Sequence, residues 1–243
     1  MARPVKAAGL AIAALTLCGL LAPVPPALSQ QSVELELVLA IDTSTSVDER
    51  EFALQTEGLA NAFLHPDVVN AIRLAGPRGV AVSVTHWAGQ NRQATVVGWQ
   101  LLRDGQDAAE LAARIAAVPR TIEGLTDIAG AIDHAAASIG SNAYKGERRV
   151  IDISGDGSSD AASSRAARDA ANALGITING LVIHQQDYSL GELANIDLRE
   201  HYANNVIGGP GAFMMTASDF EDFRVAIRRK LVREIIGPVS ASR

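Results

Sequence analysis

Cysteine is almost missing from this 243-residue chain: the single one, Cys18, falls within the first thirty residues. A disulfide framework, a zinc ribbon, a thiol nucleophile and a Cys-x-x-Cys redox pair are excluded together. Positive charge is also short, with Lys+Arg 21 against Asp+Glu 27 and a net charge of -6. No basic stripe is left for a nucleic-acid backbone and little attraction to anionic lipid, so no nucleic-acid partner is expected. Long repeats and low-complexity tracts are absent, and Gly 21 and Pro 9 are spread along a chain that is 48% hydrophobic and 20% charged. Collagen-like repeats and wholesale disorder are excluded, and the length suits one α/β domain, or at most two small ones, each with a real core.

The first residues read as a leader rather than as part of that fold. Arg3 and Lys6 form a positive region, residues 7–22 run apolar without a charge, and Pro23, Pro25 and Pro26 precede the small-residue stretch Ala27-Leu28-Ser29. This is the pattern of a secretory signal peptide over residues 1–29, and sixteen apolar residues are few for a membrane span. Leu17 before Cys18 is larger than a lipidation site wants. The expected product is a periplasmic or secreted domain of residues 30–243 with no membrane span after cleavage and no cysteine. Losing Arg3 and Lys6 takes its charge from -6 to -8.

From residue 35 onward, strand-length apolar runs alternate with helical patterns, which predicts βα units and a mainly parallel sheet. Strands are expected at Leu35–Ile41, Val80–Trp87, Ala94–Trp99, Arg149–Ser154, Ile176–His184 and Phe213–Thr216. The short Gly89-Gln90-Asn91 connection permits only an antiparallel hairpin, which puts its second strand at an edge. Helical spacing marks Phe52, Leu59, Ala60 and Phe63, ending near Pro66, then residues 107–118, and Ile128, Ile132, Ala135 and Ile139 after Thr126. An alanine-rich helix stops at Gly175, and a last helix presents Phe220, Phe223, Ile227 and Leu231. The fold class is an α/β, Rossmann-like open six-stranded sheet, mainly parallel with one antiparallel edge strand and helices on both faces.

Open α/β sheets bind ligands beyond the carboxyl ends of their strands. The first such loop, Asp42-Thr43-Ser44-Thr45-Ser46, places a carboxylate and two hydroxyls at alternating positions, although Ser/Thr/Asp clusters before helices commonly serve as N-caps. The second, Gly124-Leu125-Thr126-Asp127, has Thr126 opening a helix and alone also reads as a cap. In the third, Ser154-Gly155-Asp156-Gly157-Ser158-Ser159-Asp160, the strand stops at an acid between glycines; Ser158 or Asp160 could cap the following helix, whereas Asp156 is not easily assigned that duty.

Together these three segments resemble the metal-ion-dependent adhesion site of the von Willebrand factor A domain family, in order and spacing, over roughly residues 33–236. The leader, the Ser-Gly-Asp-Gly turn and the Gly208-Gly209-Pro210-Gly211 loop resemble a secreted bacterial subgroup of unknown function, the DUF1194-like proteins. The resemblance implies five metal-site residues: Asp42, Ser44, Ser46, Thr126 and Asp156. Ser44 and Ser46 would ligate directly, Thr126 directly or through water, and the aspartates mainly through water. Where the family commonly has Thr-Asp-Gly, this chain has Gly155 before Asp156, which puts a local hydrogen bond in doubt. Hydroxyl, carboxylate and water oxygens are hard ligands, favouring Mg²⁺, with Mn²⁺ or Ca²⁺ as alternatives. Neutral hydroxyls leave much of the ion's charge uncompensated, so the expected partner is a protein that supplies an Asp or Glu.

No other chemistry is expected, and neither catalytic nor organic-cofactor residues are assigned. The loop after the first strand lacks the glycines of a dinucleotide site, no Walker lysine follows residues 208–211, and no Gly-x-Ser-x-Gly elbow exists. A phosphatase-like hydrolase could use Asp42 as nucleophile, but Ser44 stands where its second acid belongs; a metal-free structural module is the other alternative. The five histidines read as structural, with His86-Trp87 the pair best placed to contact a ligand. Trp99 reads as edge packing, Asp152 as a hydrogen-bonded structural acid, and Arg228-Arg229-Lys230 as a solvated helix face.

Overall fold

The computed structural model describes residues 30–184 and 197–237; the leader with Cys18 lies outside them. Six strands form one sheet: β1 (Gln31–Asp42), β2 (Val80–Trp87), β3 (Gln93–Leu102), β4 (Tyr144–Gly155), β5 (Thr177–Ile183) and β6 (Met214–Ala217). Their order is β3-β2-β1-β4-β5-β6. All neighbours are parallel except β2 and β3, so the antiparallel strand is at the edge. Around the sheet lie α1 (Glu49–Leu64), α2 (Pro66–Ala75), α3 (Gly105–Ala116), α4 (Ile128–Gly140), α5 (Ala161–Ala173), α6 (Leu198–His201), a π-helical turn (Tyr202–Val206) and α7 (Phe220–Ile236).

Strand β1 is apolar on both faces because both are covered, the usual state of a central parallel strand. Leu35, Leu37, Leu39 and Ile41 pack into a core with Leu59 and Phe63 of α1 and Phe223, Ile227 and Leu231 of α7. Val38 and Ala40 face the other layer, where Ile128, Ala131, Ile132 and Ala135 of α4 meet Ala167 and Ala171 of α5. The alanines let these helices lie close to the sheet. Because the chain builds outward from β1 to β2 and β3 on one side and then crosses back to β4, β5 and β6 on the other, the adjacent carboxyl ends of β1 and β4 form the switch point at which such sheets bind ligands.

Four local readings change. The helix that ends near Pro66 is followed at once by α2, since a proline suits a first helical position and His65 accepts from the Asp67 N–H as its cap. Strand β4 begins at Tyr144, five residues early, because residues 144–148 pair in parallel register with residues 31–35, the first part of β1. His86 and Trp87 are buried, with His86 edge-on to Phe52 beneath the layer that covers β2, so neither presents its side chain to a ligand. Lys230 is wholly buried rather than solvated: it bridges Asp152 at 2.7 Å and Glu234 at 2.5 Å. Asp152 is thus the structural acid expected, its partner a lysine; Trp99 packs towards α4, donating to Ser138 Oγ at 3.0 Å.

Candidate metal centre

Each of the three loops has its own helix cap, and it is not one of the candidate ligands. Asp48 caps α1: its carboxylate accepts from the Glu51 N–H, while Glu51 accepts from the Asp48 N–H, both at 2.8 Å. Asp127, not Thr126, caps α4 by accepting from the Gly130 N–H. Asp160 caps α5 by accepting from the Ser163 N–H at 2.8 Å. An aspartate at a cap satisfies the free N–H groups of the first turn. The capping duty that would explain away Asp42, Ser44, Ser46, Thr126 and Asp156 is therefore already discharged by others.

The five residues converge at the carboxyl ends of β1 and β4. Asp42 is the last residue of β1 and fully buried; its Oδ1 accepts from the Ser44 N–H at 2.8 Å, folding the loop back over the strand end. The Ser44 and Ser46 hydroxyls lie 3.0 Å apart, and Ser46 donates to Asp156 Oδ1 at 2.9 Å. Thr126 arrives from the α4 side: a Cβ on Gly157 would stand 2.9 Å from its Oγ1, so glycine next to Asp156 is what lets the two loops meet. The Thr45 N–H bonds Gly124 O at 2.8 Å, tying the first loop to the second. Arg120 pins the first loop from beneath, donating to the carbonyls of Thr43 (3.1 Å) and Ser44 (2.9 Å).

Electrostatically the arrangement is short of positive charge. Asp42 is pushed up to about 7, by burial and then by the negative charge of Asp156. Asp156 is also raised, chiefly by burial, although its bond from Ser46 opposes the rise. Asp42 Oδ2 is buried without a hydrogen-bond partner. Two carboxylates and three hydroxyls, with one buried acceptor unsatisfied, fit a hard divalent cation; among the described residues no cluster of three His, Cys, Asp or Glu offers a softer site.

One member of the environment carried no signal in the sequence. Tyr202, on the π-helical turn after α6, is fully buried with its hydroxyl unpartnered. A Cβ on Gly155 would stand 2.8 Å from Asp42 Oδ2 and 2.9 Å from Tyr202 Oη, so the missing side chain at 155 opens the space that both oxygens border. Burial, then the charges of Asp42 and Asp156, push the Tyr202 phenol well above its ordinary range and keep it a donor. Beside Thr126, an open cleft of about 650 Å³ runs between Gly89–Asn91 and Asp127–His134. Leu125 stands at its edge, 81% exposed.

Residues 32–239 match the model of a family described as a protein of unknown function, DUF1194. The chain belongs to the DUF1194 family. No curated protein matches it. Among solved structures, this DUF1194 chain is similar to proximal thread matrix protein 1 from the mussel byssus, with a TM-score of 0.60 and 16% identity over 86% of this chain and 47% of that one. It is similar also to the pilus adhesin SpaC from Lactobacillus rhamnosus GG, with a TM-score of 0.59 and 14% identity over 86% and 31%. A von Willebrand factor type A protein from Catenulispora acidiphila gives 0.56 and 15% over 84% and 43%. The chain thus spans half or less of the length of these three proteins. Their likeness establishes a von Willebrand factor A-like fold for this DUF1194 member. Another structure of the mussel protein is described as having a zinc-occupied MIDAS motif, the metal-ion-dependent adhesion site.

Proposed function

We propose that this protein is an exported binding module in which Asp42, Ser44, Ser46, Thr126 and Asp156 hold a divalent cation, Mg²⁺ foremost, and that a protein partner docks on it through an Asp or Glu. The observation that carries this reading is the division of labour in the loops: Asp48, Asp127 and Asp160 cap the helices, and the five candidate residues converge without that duty. The buried Asp42 Oδ2 and the raised Asp42 and Asp156 describe a place that gains from positive charge. A bound cation supplies that charge and leaves part of it for a partner carboxylate. Ser44 and Ser46 furnish neutral oxygens, Asp42 and Asp156 orient the shell, and Thr126 closes it from the α4 side. Tyr202 is the positioning residue: its unpartnered hydroxyl borders the same space at Gly155 as the unpartnered Asp42 Oδ2, where a water could link the two once the cation holds Asp42 ionised.

Two of the similar structures, a byssus matrix protein and a pilus adhesin, are structural or adhesive proteins by their descriptions, which agrees with a binding role. Among the described residues no helix is long and apolar enough to cross a membrane. With residues 1–29 as the leader, the exported product begins near Gln30, which its intact mass checks. The functional test is capture of exported proteins on the immobilised domain, with Mg²⁺ and with excess chelator. The expected result is a partner retained only with the cation and lost from a Ser44→Ala, Ser46→Ala variant whose circular dichroism is unchanged. Capture that survives both chelator and the double substitution contradicts the reading.

A further inference from the structure

The opposite end of the sheet holds a second concavity. The first half of β4, the start of β5, the loop before β6 and the end of α7 enclose a cavity of about 290 Å³. Arg148 and Arg149 of β4 and Arg233 of α7 border it, and none of the three forms a salt bridge among the described residues. Arg148 donates to the carbonyls of Glu234 (2.7 Å) and Ile235 (2.6 Å), closing the end of α7. Arg149 donates only to the Leu174 carbonyl. Arg233 stacks over the ring of Phe213, 3.8 Å from its centroid, and its guanidinium has no hydrogen bond among the described residues.

Both acids that border the cavity already have a cationic partner. Glu147 pairs with Arg78. Glu234 lies fully buried behind the wall, taking Lys230 and the Asn179 side-chain N–H on Oε1. The inner end is taken up by this buried pair, which leaves the Arg149–Arg233 rim as the favourable seat for an anion. Phe213 and Pro210 add an apolar wall beside that rim. Guanidinium groups without carboxylate partners pair strongly with carboxylates and phosphates, and an aromatic ring beside them suits a flat apolar body.

We infer that this cavity is a second binding site, for an organic anion: a carboxylate or phosphate-monoester head at Arg149 and Arg233, with a flat apolar body against Pro210 and the stacked Arg233–Phe213 pair. It lies at the amino ends of the strands, away from Asp42 and Asp156, and does not depend on the cation. The test is a calorimetric titration of the full chain, in chelator so that the metal centre cannot take the anion. The probes are benzoate, phenyl phosphate, benzyl alcohol and inorganic phosphate. Benzoate and phenyl phosphate should bind saturably, at least tenfold more tightly than the neutral alcohol or inorganic phosphate. Arg149→Gln with Arg233→Gln should weaken both at least tenfold and leave the response to Mg²⁺ unchanged; the exposed Arg233→Gln alone should act in the same direction should the double variant not fold. Equal binding of benzyl alcohol, inorganic phosphate as tight as phenyl phosphate, no saturable binding of either aryl anion, or undiminished binding to the variants would each overturn the assignment.

Discussion

Asp42 pairs a fully buried carboxylate with a neighbour of the same charge, and the consequence is a pH dependence with a definite sign. Its folded-state value, about 7, lies above the ordinary carboxylate value of 3.8 that an unfolded chain shows. Below pH 4 both states carry the proton; between 4 and 7 only the unfolded chain releases it, so this residue lowers cation-free stability as pH rises and levels off above 7. Asp42→Asn keeps the oxygen that accepts from the Ser44 N–H and removes the charge. Without cation, the variant should match wild type near pH 4 and melt higher than wild type at pH 8. In wild type, binding of Mg²⁺ should weaken by up to about tenfold per pH unit below 7, because the proton competes with the ion. Equal melting of the two proteins at pH 8 contradicts the account of Asp42. Tyr202→Phe tests the residue behind it. Loss of an outer-shell partner should cost about 10–100-fold in cation affinity. The cation-free melting temperature should stay near wild type, because the hydroxyl lacks a partner there; a purely structural tyrosine would lower that temperature and leave affinity alone.

Helix α7 shows where reading a chain by its charges misleads and by its period succeeds. Arg228-Arg229-Lys230 reads as a solvated run, yet Lys230 follows Phe223 by seven residues and precedes Glu234 by four, which puts both in the stripe of Phe223, Ile227 and Leu231. Helical spacing carried through the charged run is what accounts for a lysine and a glutamate in the buried face, where a reading by charge puts a solvated one. Asp152, an acid inside a buried strand, carried the complementary signal. Removing one member of such a group leaves the others uncompensated in a low-dielectric interior. Lys230→Met should destabilise the protein by about 3–5 kcal/mol, read by urea unfolding. Adding Asp152→Leu and Glu234→Gln should recover much of that loss. A change below about 1 kcal/mol for Lys230→Met alone would show that the buried ions do not depend on one another.

At the scale of the molecule, the sheet and its antiparallel edge were legible because a strand covered on both faces has a continuous apolar signature and a connection as short as the five residues 88–92 admits only a hairpin. The helices were legible wherever an apolar stripe persisted; α2 was not, because Pro66 signals an end and a beginning alike. In the site, the order Asp42-x-Ser44-x-Ser46, Thr126, Asp156 was visible, since each element follows a strand or opens a helix. Freedom from capping was visible for Asp156, with Ser158 and Asp160 at hand for that duty, but not for the other four, because Asp48 stands two residues beyond Ser46 and Asp127 next to Thr126. Tyr202 was beyond reach, since nothing local links a turn after α6 to the end of β1. The central claim, that these loops form one cation site, is tested most directly by calorimetric titration of Mg²⁺ into cation-free protein at pH 8, with Asp156→Ala alongside. The account predicts saturable binding at one ion per chain for wild type, with a rise in melting temperature as the native state alone takes the ligand, and neither effect in a folded Asp156→Ala. Wild type without saturable binding, or Asp156→Ala binding as tightly as wild type, would contradict it.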